Sequence, residues 1–285
     1  MAEISAKAVK DLREQTGAGM MDCKRALTEA EGDLERALAV LRERGLAKAG
    51  KREGRETSEG MIAVSMEGPV GGMVELGCET DFVARTDDFA ALGSGLAALV
   101  ASADGPQTPE ELAEASTDGQ RVADRISESI AKLGENIVIK RVARLEVKDG
   151  LVGGYVHAGA KLGVLVGVEG AADAAELARD VAMHVAAADP TPVAVFKEDI
   201  AEALLDTERE IYRNQAVQEG KPEKVLDRIV EGKIKKYLKD ICLVEQSFVK
   251  DPDRNVGSLL DEAGARVSGF ARFKLGQSGE EATPS

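Results

Sequence analysis

The sequence predicts an α+β protein: a small helical module, a core of two related α+β subdomains, and a projecting antiparallel helical hairpin. Three observations predict it. Apolar residues recur at helical spacing over the first 45 residues, at a period of two from Met61, and again at helical spacing, sparsely and among many charges, over residues 197–241. Ile4, Val9 and Leu12 lie on one face of a first helix, and Thr16-Gly17-Ala18-Gly19 breaks it with a turn. Asp22 is placed to cap a second helix carrying Cys23, Ala26, Leu27 and Ala30. Gly32-Asp33 opens a third, with Leu34, Ala37, Leu38 and Leu41 at i, i+3, i+4 and i+7, and Gly45 stands where a terminating glycine belongs. The polar stretch KAGKREGRETSEG then reads as a linker.

The change of period marks a second kind of structure. Ile62, Val64 and Met66 alternate, Gly68-Pro69 turns the chain, and GGMVELGC returns as a strand. Helices follow over residues 88–103 and from Thr108-Pro109-Glu110-Glu111, which combines a capping box with a proline at the first helical position. A third carries Val122, Ile126, Ile130 and Leu133 in a stripe and stops at Gly134, and residues 136–147 return to strand. The pattern then repeats. Tyr155-Val156-His157, a turn and KLGVLVGVEG restate the hairpin, and VAAAD at 185–189 echoes VASAD at 100–104. On that alignment the first copy holds about six extra residues, around Glu79-Thr80-Asp81-Phe82-Val83-Ala84, where an insertion can carry function.

Residues 197–241 read as two charged helices broken at Gln218-Glu219-Gly220-Lys221-Pro222. Ile200, Leu204, Ile211, Val225, Ile229 and Ile234 supply only a narrow apolar seam, as a projecting hairpin requires. An extended segment at Phe248–Pro252, a short helix around Leu259 and Leu260 and a closing strand over 266–275 complete the fold, and the tail GQSGEEATPS is expected to be disordered.

Composition narrows the function classes. The 285 residues are 44% hydrophobic but only 3% aromatic, with no Trp, so the cores must be aliphatic. The net charge of −14 repels phosphate backbones, and few aromatic platforms exist for stacking bases, so neither direct nucleic-acid binding nor an anionic membrane is expected. Cys23, Cys78 and Cys242 are odd in number and far apart, which suits free thiols in a reducing cytoplasm. The charged N-terminal residues are unlike a secretory signal, and the longest uncharged run, residues 89–103, is too short to span a bilayer.

Catalytic readings fare poorly. His157 and His184 are the only histidines, and neither stands at metal-ligand spacing from a cysteine or the other histidine. His184, between Met183 and Val185, reads as a packed or interface residue. Cys78 beside Glu79 invites comparison with a thiol nucleophile, but a buried strand cysteine is the simpler reading. GAGMMDCK lacks the glycine and lysine placement of a phosphate-binding loop, and no GxGxxG follows a strand. Nucleotide chemistry would therefore belong to a partner. Two loops attract interest as binding elements. Met20 and Met21, behind exposed backbone at Gly17–Gly19, present flexible thioethers suited to a partner helix, or else fill the three-helix core. Phe82, just past a strand end, either caps the core or faces a partner.

Those loops also carry a resemblance. VKDLREQTGAGMMDCKRALTEAEGDLERAL resembles the ubiquitin-associated-like N-terminal module of the elongation factor Ts family, and ELGCETDFVART resembles that family's exchange loop. The likeness continues through KLGENIVIKRV, YVHAGAKLGVLV, MHVAA, EGKPEKVLDRIVEGKIKKYL, QSFVKDP and VSGFARF, covering residues 2–275 in order. It implies a non-enzymatic guanine-nucleotide exchange factor, needing no cofactor or metal, whose partner is the GTPase elongation factor Tu in its GDP-bound and nucleotide-free forms. It implies that Asp81 and Phe82 reach the partner beside its nucleotide, with Phe82 wedging between helices and displacing Mg²⁺, and that Thr80 and Val83 frame the wedge. Lys24, with Met20 and Met21, would bind a helix of the nucleotide domain; Leu133 and Gly134 would lie beside the wedge. His157 would touch another domain of the GTPase, and Val249 and Lys250 match a further contact, although a second apolar residue can occur where Lys250 stands.

Together these readings divide the chain into a ubiquitin-associated-like module (1–47), a linker (48–60), a core N-subdomain (61–147), a core C-subdomain (148–196 and 242–276), the hairpin (197–241) and a tail (277–285). A homodimer stays open, and the alternative to exchange is a scaffold or chaperone-like protein that binds through its hairpin.

Overall fold

Ser5 opens the fold by accepting a hydrogen bond from the Ala8 N–H at the start of α1 (Ala6–Thr16), which ends at Gly17 in the left-handed conformation. The computed structural model describes residues 4–52, 54–170 and 174–277. α2 (Met20–Glu29) follows, then α3 (Leu34–Gly50). Two expectations about caps are corrected here. The residue before α2 is Gly19, which offers no side-chain cap; Asp22 lies within the first turn, where a carboxylate still favours the positive end of the helix. α3 runs through Gly45 to Gly50. Leu12, Cys23, Ala26, Leu27, Ala30 and Ala37 form the buried centre of the three helices.

The strands and helices of the first sheet follow: β1 (Glu59–Glu67), β2 (Val70–Cys78), the one-turn α4 (Asp81–Ala84), α5 (Asp87–Val100), α6 (Pro109–Glu114), β3 (Ser116–Thr117), β4 (Gln120–Arg121), α7 (Val122–Leu133) and β5 (Ile137–Glu146). Thr108 caps α6 as expected, while the Glu111 carboxylate accepts from the Gln107 N–H, one residue before the cap. β3 and β4 form a minimal antiparallel pair that no sequence signal announced. Gly45 has its reason in α7: a Cβ there would stand 3.1 Å from the Ala131 Cβ, so the glycine allows close approach of two helices instead of ending one. Arg42, on the same helix, pairs with Asp124 at 3.1 Å.

The second sheet is introduced by β6 (Gly150–Val156), β7 (Leu162–Glu169) and α8 (Ala174–Ala187). The charged helices α9 (Glu202–Gln218) and α10 (Glu223–Ile241) come next, then β8 (Ser247–Phe248), β9 (Asp251–Asn255), α11 (Val256–Glu262) and β10 (Arg266–Lys274). The two three-stranded sheets run β1-β2-β5 and β10-β7-β6. In each, the second strand of a hairpin is central and the strand that follows the helices joins beside it. α5 and α8, which follow the two hairpins, have 14 residues each. The weak repeat in the sequence thus appears as a shared topology. The connection between hairpin and helix is residues 79–86 in the first copy and 170–173 in the second, an excess of four where about six were expected.

The chain divides into two compact units, one of Met1–Ala63, Val74–Val100 and Asp104–Val142, the other of Val64–Met73, Ala101–Ala103 and Ala143–Ser285. The first is centred on Leu76, Cys78, Phe89, Leu96 and Leu112, the second on Val164, Val166, Val181, Leu243 and Phe270. The hairpin seam is Leu205, Ala216, Leu226, Val230 and Ile234. Ile234 was expected there; Leu204, Ile211 and Val225 were also expected and are exposed. On so sparsely apolar a helix two neighbouring stripes compete, and the packed one is rotated by a residue. The tail, beyond Gln277, lies outside the described residues. Among the described residues no helix is long and apolar enough to cross a membrane.

Candidate partner-binding surface

The connection after β2 is built around two threonines. Thr80 precedes α4 in an extended conformation, and its hydroxyl oxygen accepts from the Val83 N–H at 3.5 Å. Thr86 repeats the device for α5, its oxygen accepting from the Phe89 N–H at 3.3 Å while its hydroxyl donates to the Val83 carbonyl at 2.8 Å. Between them α4 is a single turn, so adjacent residues face opposite ways. Val83 is buried in the core of the first unit with Cys78 and Phe89. Phe82 is 82% exposed, far more than any other large apolar side chain described. Asp81 pairs with Arg85 at 2.9 Å on the outer side of the turn.

A one-turn helix has little stability of its own. It is held by the corner between α7 and β5. Gly134 ends α7 in the left-handed conformation, φ +84°, and so turns Glu135 toward Thr80. The Glu135 carboxylate accepts from the Thr80 hydroxyl at 2.5 Å and from the Thr80 N–H at 2.9 Å. In return, the Glu79 carboxylate accepts from the Asn136 N–H at 2.7 Å, with Arg55 at 3.4 Å. The Asn136 N–H holds the Glu79 carboxyl below the usual range against a smaller opposing effect of burial, with Arg55 adding to the depression. Leu133 is half-buried and Gly134 exposed, so the expected pair lies at the corner that grips Thr80.

Met20 and Met21 are 54% and 64% exposed at the start of α2, and Lys24 one turn later is exposed too. Both thioethers therefore face outward, and neither fills the three-helix core. The turn before them approaches α7: a Cβ at Gly17 would meet the Lys132 side chain at 2.5 Å, and Lys132 itself pairs with Asp88 at 2.7 Å. Within the first unit, then, the α1–α2 turn, the corner at Gly134 and the Thr80–Val83 segment are linked through α7.

The remaining expected residues belong to the second unit. His157 is exposed in the turn between β6 and β7, its Nδ1 3.0 Å from the Tyr155 hydroxyl. Val249 is 42% exposed between β8 and β9, and Lys250 pairs with Asp180 at 2.6 Å. His184, buried as expected, explains how that segment is held. Its Nδ1 accepts from the Val249 N–H at 3.2 Å, which makes Nε2 the donor to the Gln246 carbonyl oxygen at 3.0 Å. Gln246 donates onward to the Asp240 carbonyl in the last turn of α10 at 2.6 Å. Burial pushes His184 below the usual imidazole value, with the Gln246 bond opposing.

Sequence reasoning missed Glu79, Glu135 and Gln246. ENI in KLGENIVIKRV was visible, but nothing local says that a glutamate after a helix-ending glycine will reach a threonine 55 positions earlier. The thiol reading of Cys78 is contradicted by its environment. Burial first, then the nearby Glu135 charge, push its thiol up to about 11, so almost no thiolate nucleophile exists at neutral pH. Among the described residues no group of three His, Cys, Asp or Glu side chains could hold a metal ion.

An exposed aromatic on a braced single turn, with further apolar side chains exposed at the start of α2, has the character of a protein-contact surface, where a few large side chains carry most of the energy. The sequence profile of the family described as Elongation factor TS matches residues 79–277. Elongation factor Ts of Clostridium perfringens (strain SM101 / Type A) is 45% identical, over 96% of this chain and 93% of that protein. Its counterpart in Clostridium botulinum (strain Alaska E43 / Type E3) is 44% identical with the same coverage. The chain belongs to the elongation factor Ts family.

Proposed function

We infer that this protein is the guanine-nucleotide exchange factor of elongation factor Tu: it binds the GDP-bound GTPase in the cytoplasm, distorts the nucleotide site and releases GDP, without bond chemistry of its own. The observation that carries this reading is the exposure of Phe82 on a turn braced from behind. An apolar ring left in water at a fixed position gains free energy only when a partner covers it. In this reading Phe82 enters between helices of the GTPase beside the nucleotide, Asp81 reaches the same region, and the bound Mg²⁺ is displaced. Met20, Met21 and Lys24 hold a helix of the nucleotide domain; Leu133 and Gly134 flank the wedge; His157 contacts a further domain, and Val249 and Lys250 make a further contact. The module, subdomain and hairpin boundaries deduced from the sequence are the working division for this arrangement.

The mechanism is a coupling of two equilibria. A factor that binds the nucleotide-free GTPase more tightly than the GDP form must weaken GDP by the same factor. Burial of one phenylalanine is worth about 1.5–3 kcal/mol, and each 1.4 kcal/mol changes an affinity about tenfold. Phe82 alone therefore supplies on the order of ten- to a hundredfold of weakening. Loss of Mg²⁺, the largest local charge at the phosphates, supplies much of the remainder.

The test is release of a fluorescent GDP from purified elongation factor Tu. Wild-type protein is expected to accelerate it strongly, and Phe82→Ala to lose about one to two decades of that acceleration. Full activity in the variant would move the mechanism away from Phe82, toward Asp81 or the α2 surface. No acceleration by wild type would end the exchange reading and favour a scaffold acting through the hairpin.

A further inference from the structure

The latch behind α4 suggests a role for a residue that makes no claim to the partner contact itself. We propose that Glu135 is the positioning residue of the Phe82 wedge: its carboxylate grips the N–H and hydroxyl of Thr80, and so fixes the turn on which Phe82 is displayed. The proposal rests on the exchange reading and deepens it. Three features carry it. Glu135 takes two hydrogen bonds from one residue, at 2.5 and 2.9 Å, and a charged acceptor makes both stronger than neutral bonds. With its proton directed at Glu135, the Thr80 hydroxyl keeps a lone pair for the Val83 N–H, so one carboxylate selects the cap geometry of the whole turn. Around them, Glu79 accepts the Asn136 N–H and the Asn136 side chain donates to the Arg55 carbonyl at 2.9 Å, so the loop and the corner are tied in both directions.

The physical need is plain. Phe82 gains from burial in a partner only the surplus left after ordering its own turn. A four-residue helix held by nothing but its own hydrogen bonds would sample many orientations, and each would dilute the competent one. Glu135 meets that cost within the free protein. It is itself half-buried and bonds Thr80, while the Phe82 ring two residues on is exposed.

The experiment combines GDP release from elongation factor Tu with amide hydrogen exchange on the free protein, for wild type, Glu135→Ala, Phe82→Ala and the double variant. Glu135→Ala is expected to speed exchange at the Thr80 and Val83 amides and to lower GDP release by about tenfold. On the Phe82→Ala background the same change is expected to cost under about twofold, because a positioning residue has nothing left to position. Glu135→Gln, which keeps one acceptor, is expected to lie between wild type and Glu135→Ala. Additive losses in the double variant would overturn the proposal, since Glu135 would then act on the partner independently. Unchanged amide protection in Glu135→Ala would overturn it as well. A wild type that accelerates no GDP release would remove the exchange reading alone, and the amide data would still decide whether Glu135 fixes the turn.

Discussion

Phe82 and Val83 are neighbours in sequence and opposites in environment, one 82% exposed and the other 8%. Their substitutions should therefore separate binding from folding. Val83→Ala opens a small cavity beside Phe89 and is expected to cost about 1–2 kcal/mol of stability in a urea melt. Phe82→Ala removes nothing packed and is expected to stay within about 0.5 kcal/mol of wild type. A large loss of stability in Phe82→Ala would mean the ring packs on the protein in solution and is no wedge. The sequence left this choice open for a physical reason. A single turn is too short to show a period, so either residue could face inward; the choice is made by Thr80, whose orientation depends on Glu135 far along the chain. Met20 and Met21 were equally ambiguous, because a thioether suits a core or a surface. The Cys78 thiol was easier, since a cysteine in a strand of apolar residues is expected to be buried. Burial pushes both Cys78 and Cys242 up to about 11. Iodoacetamide at pH 8 is accordingly expected to leave both unmodified in the native protein and to label them on unfolding; rapid native labelling at either would contradict the buried placement.

At the scale of elements, the hairpin shows what a pattern can and cannot specify. The break between α9 and α10 at residues 219–222 was legible, because glycine followed by proline stops one helix and starts another. The buried face was only partly so. Leu204 and Leu205 are adjacent, as are Val225 and Leu226, and the sequence supplies no local reason to bury the second of each pair. Cross-helix contacts decide it: Arg213 pairs with Asp227, Lys233 donates to Gln215, and Tyr212 meets Tyr237 with ring centroids 6.4 Å apart. Once those pairs set the rotation, Leu205, Ala216, Leu226, Val230 and Ile234 fall in the seam. Ile234→Ala is expected to destabilise by about 2–5 kcal/mol, whereas Ile211→Ser, at an exposed position, is expected to change stability by under about 0.5 kcal/mol. Thermal melts of the two variants check the assignment, and a reversal of their order would refute it. The α+β class and the paired topology were more legible, because alternation and helical period differ strongly over nine or ten residues. The β3–β4 pair, two residues a strand, was below that length.

At the scale of the whole molecule, acid should weaken the fold through a group that the surface charge does not reveal. His184 is fully buried on α8, facing Gln246 and the backbone of Val249, with the Phe248 ring tilted beside it at a centroid distance of 6.0 Å and the Asp180–Lys250 pair one turn away. Its Nδ1 is an acceptor in the native state, so a proton there breaks the Val249 bond and places a charge in an apolar site. Burial accordingly depresses its pKa below the ordinary 6.5, with Gln246 restoring part of the loss. The sign follows from the proton count. Below about pH 6.5 the unfolded chain binds a proton that the folded one resists, so stability is full above that value and declines as pH falls toward the depressed native pKa. A single site can contribute a slope of no more than about 1.4 kcal/mol per pH unit. Urea melts at pH 7.5, 6.5 and 5.5 are expected to show this decline in wild type and a flatter profile in His184→Gln, whose overall stability is lower. The Val249 amide gives an independent readout: its hydrogen exchange, corrected for intrinsic rates, should accelerate over the same interval. Equal slopes in the two proteins would rule out His184 as the source, because carboxylates such as Glu79, with a depressed pKa, lose their contribution only below about pH 4.5, outside this interval. Because Val249 and Lys250 are the residues this network holds in place, the same protonation should loosen their segment before the fold as a whole gives way.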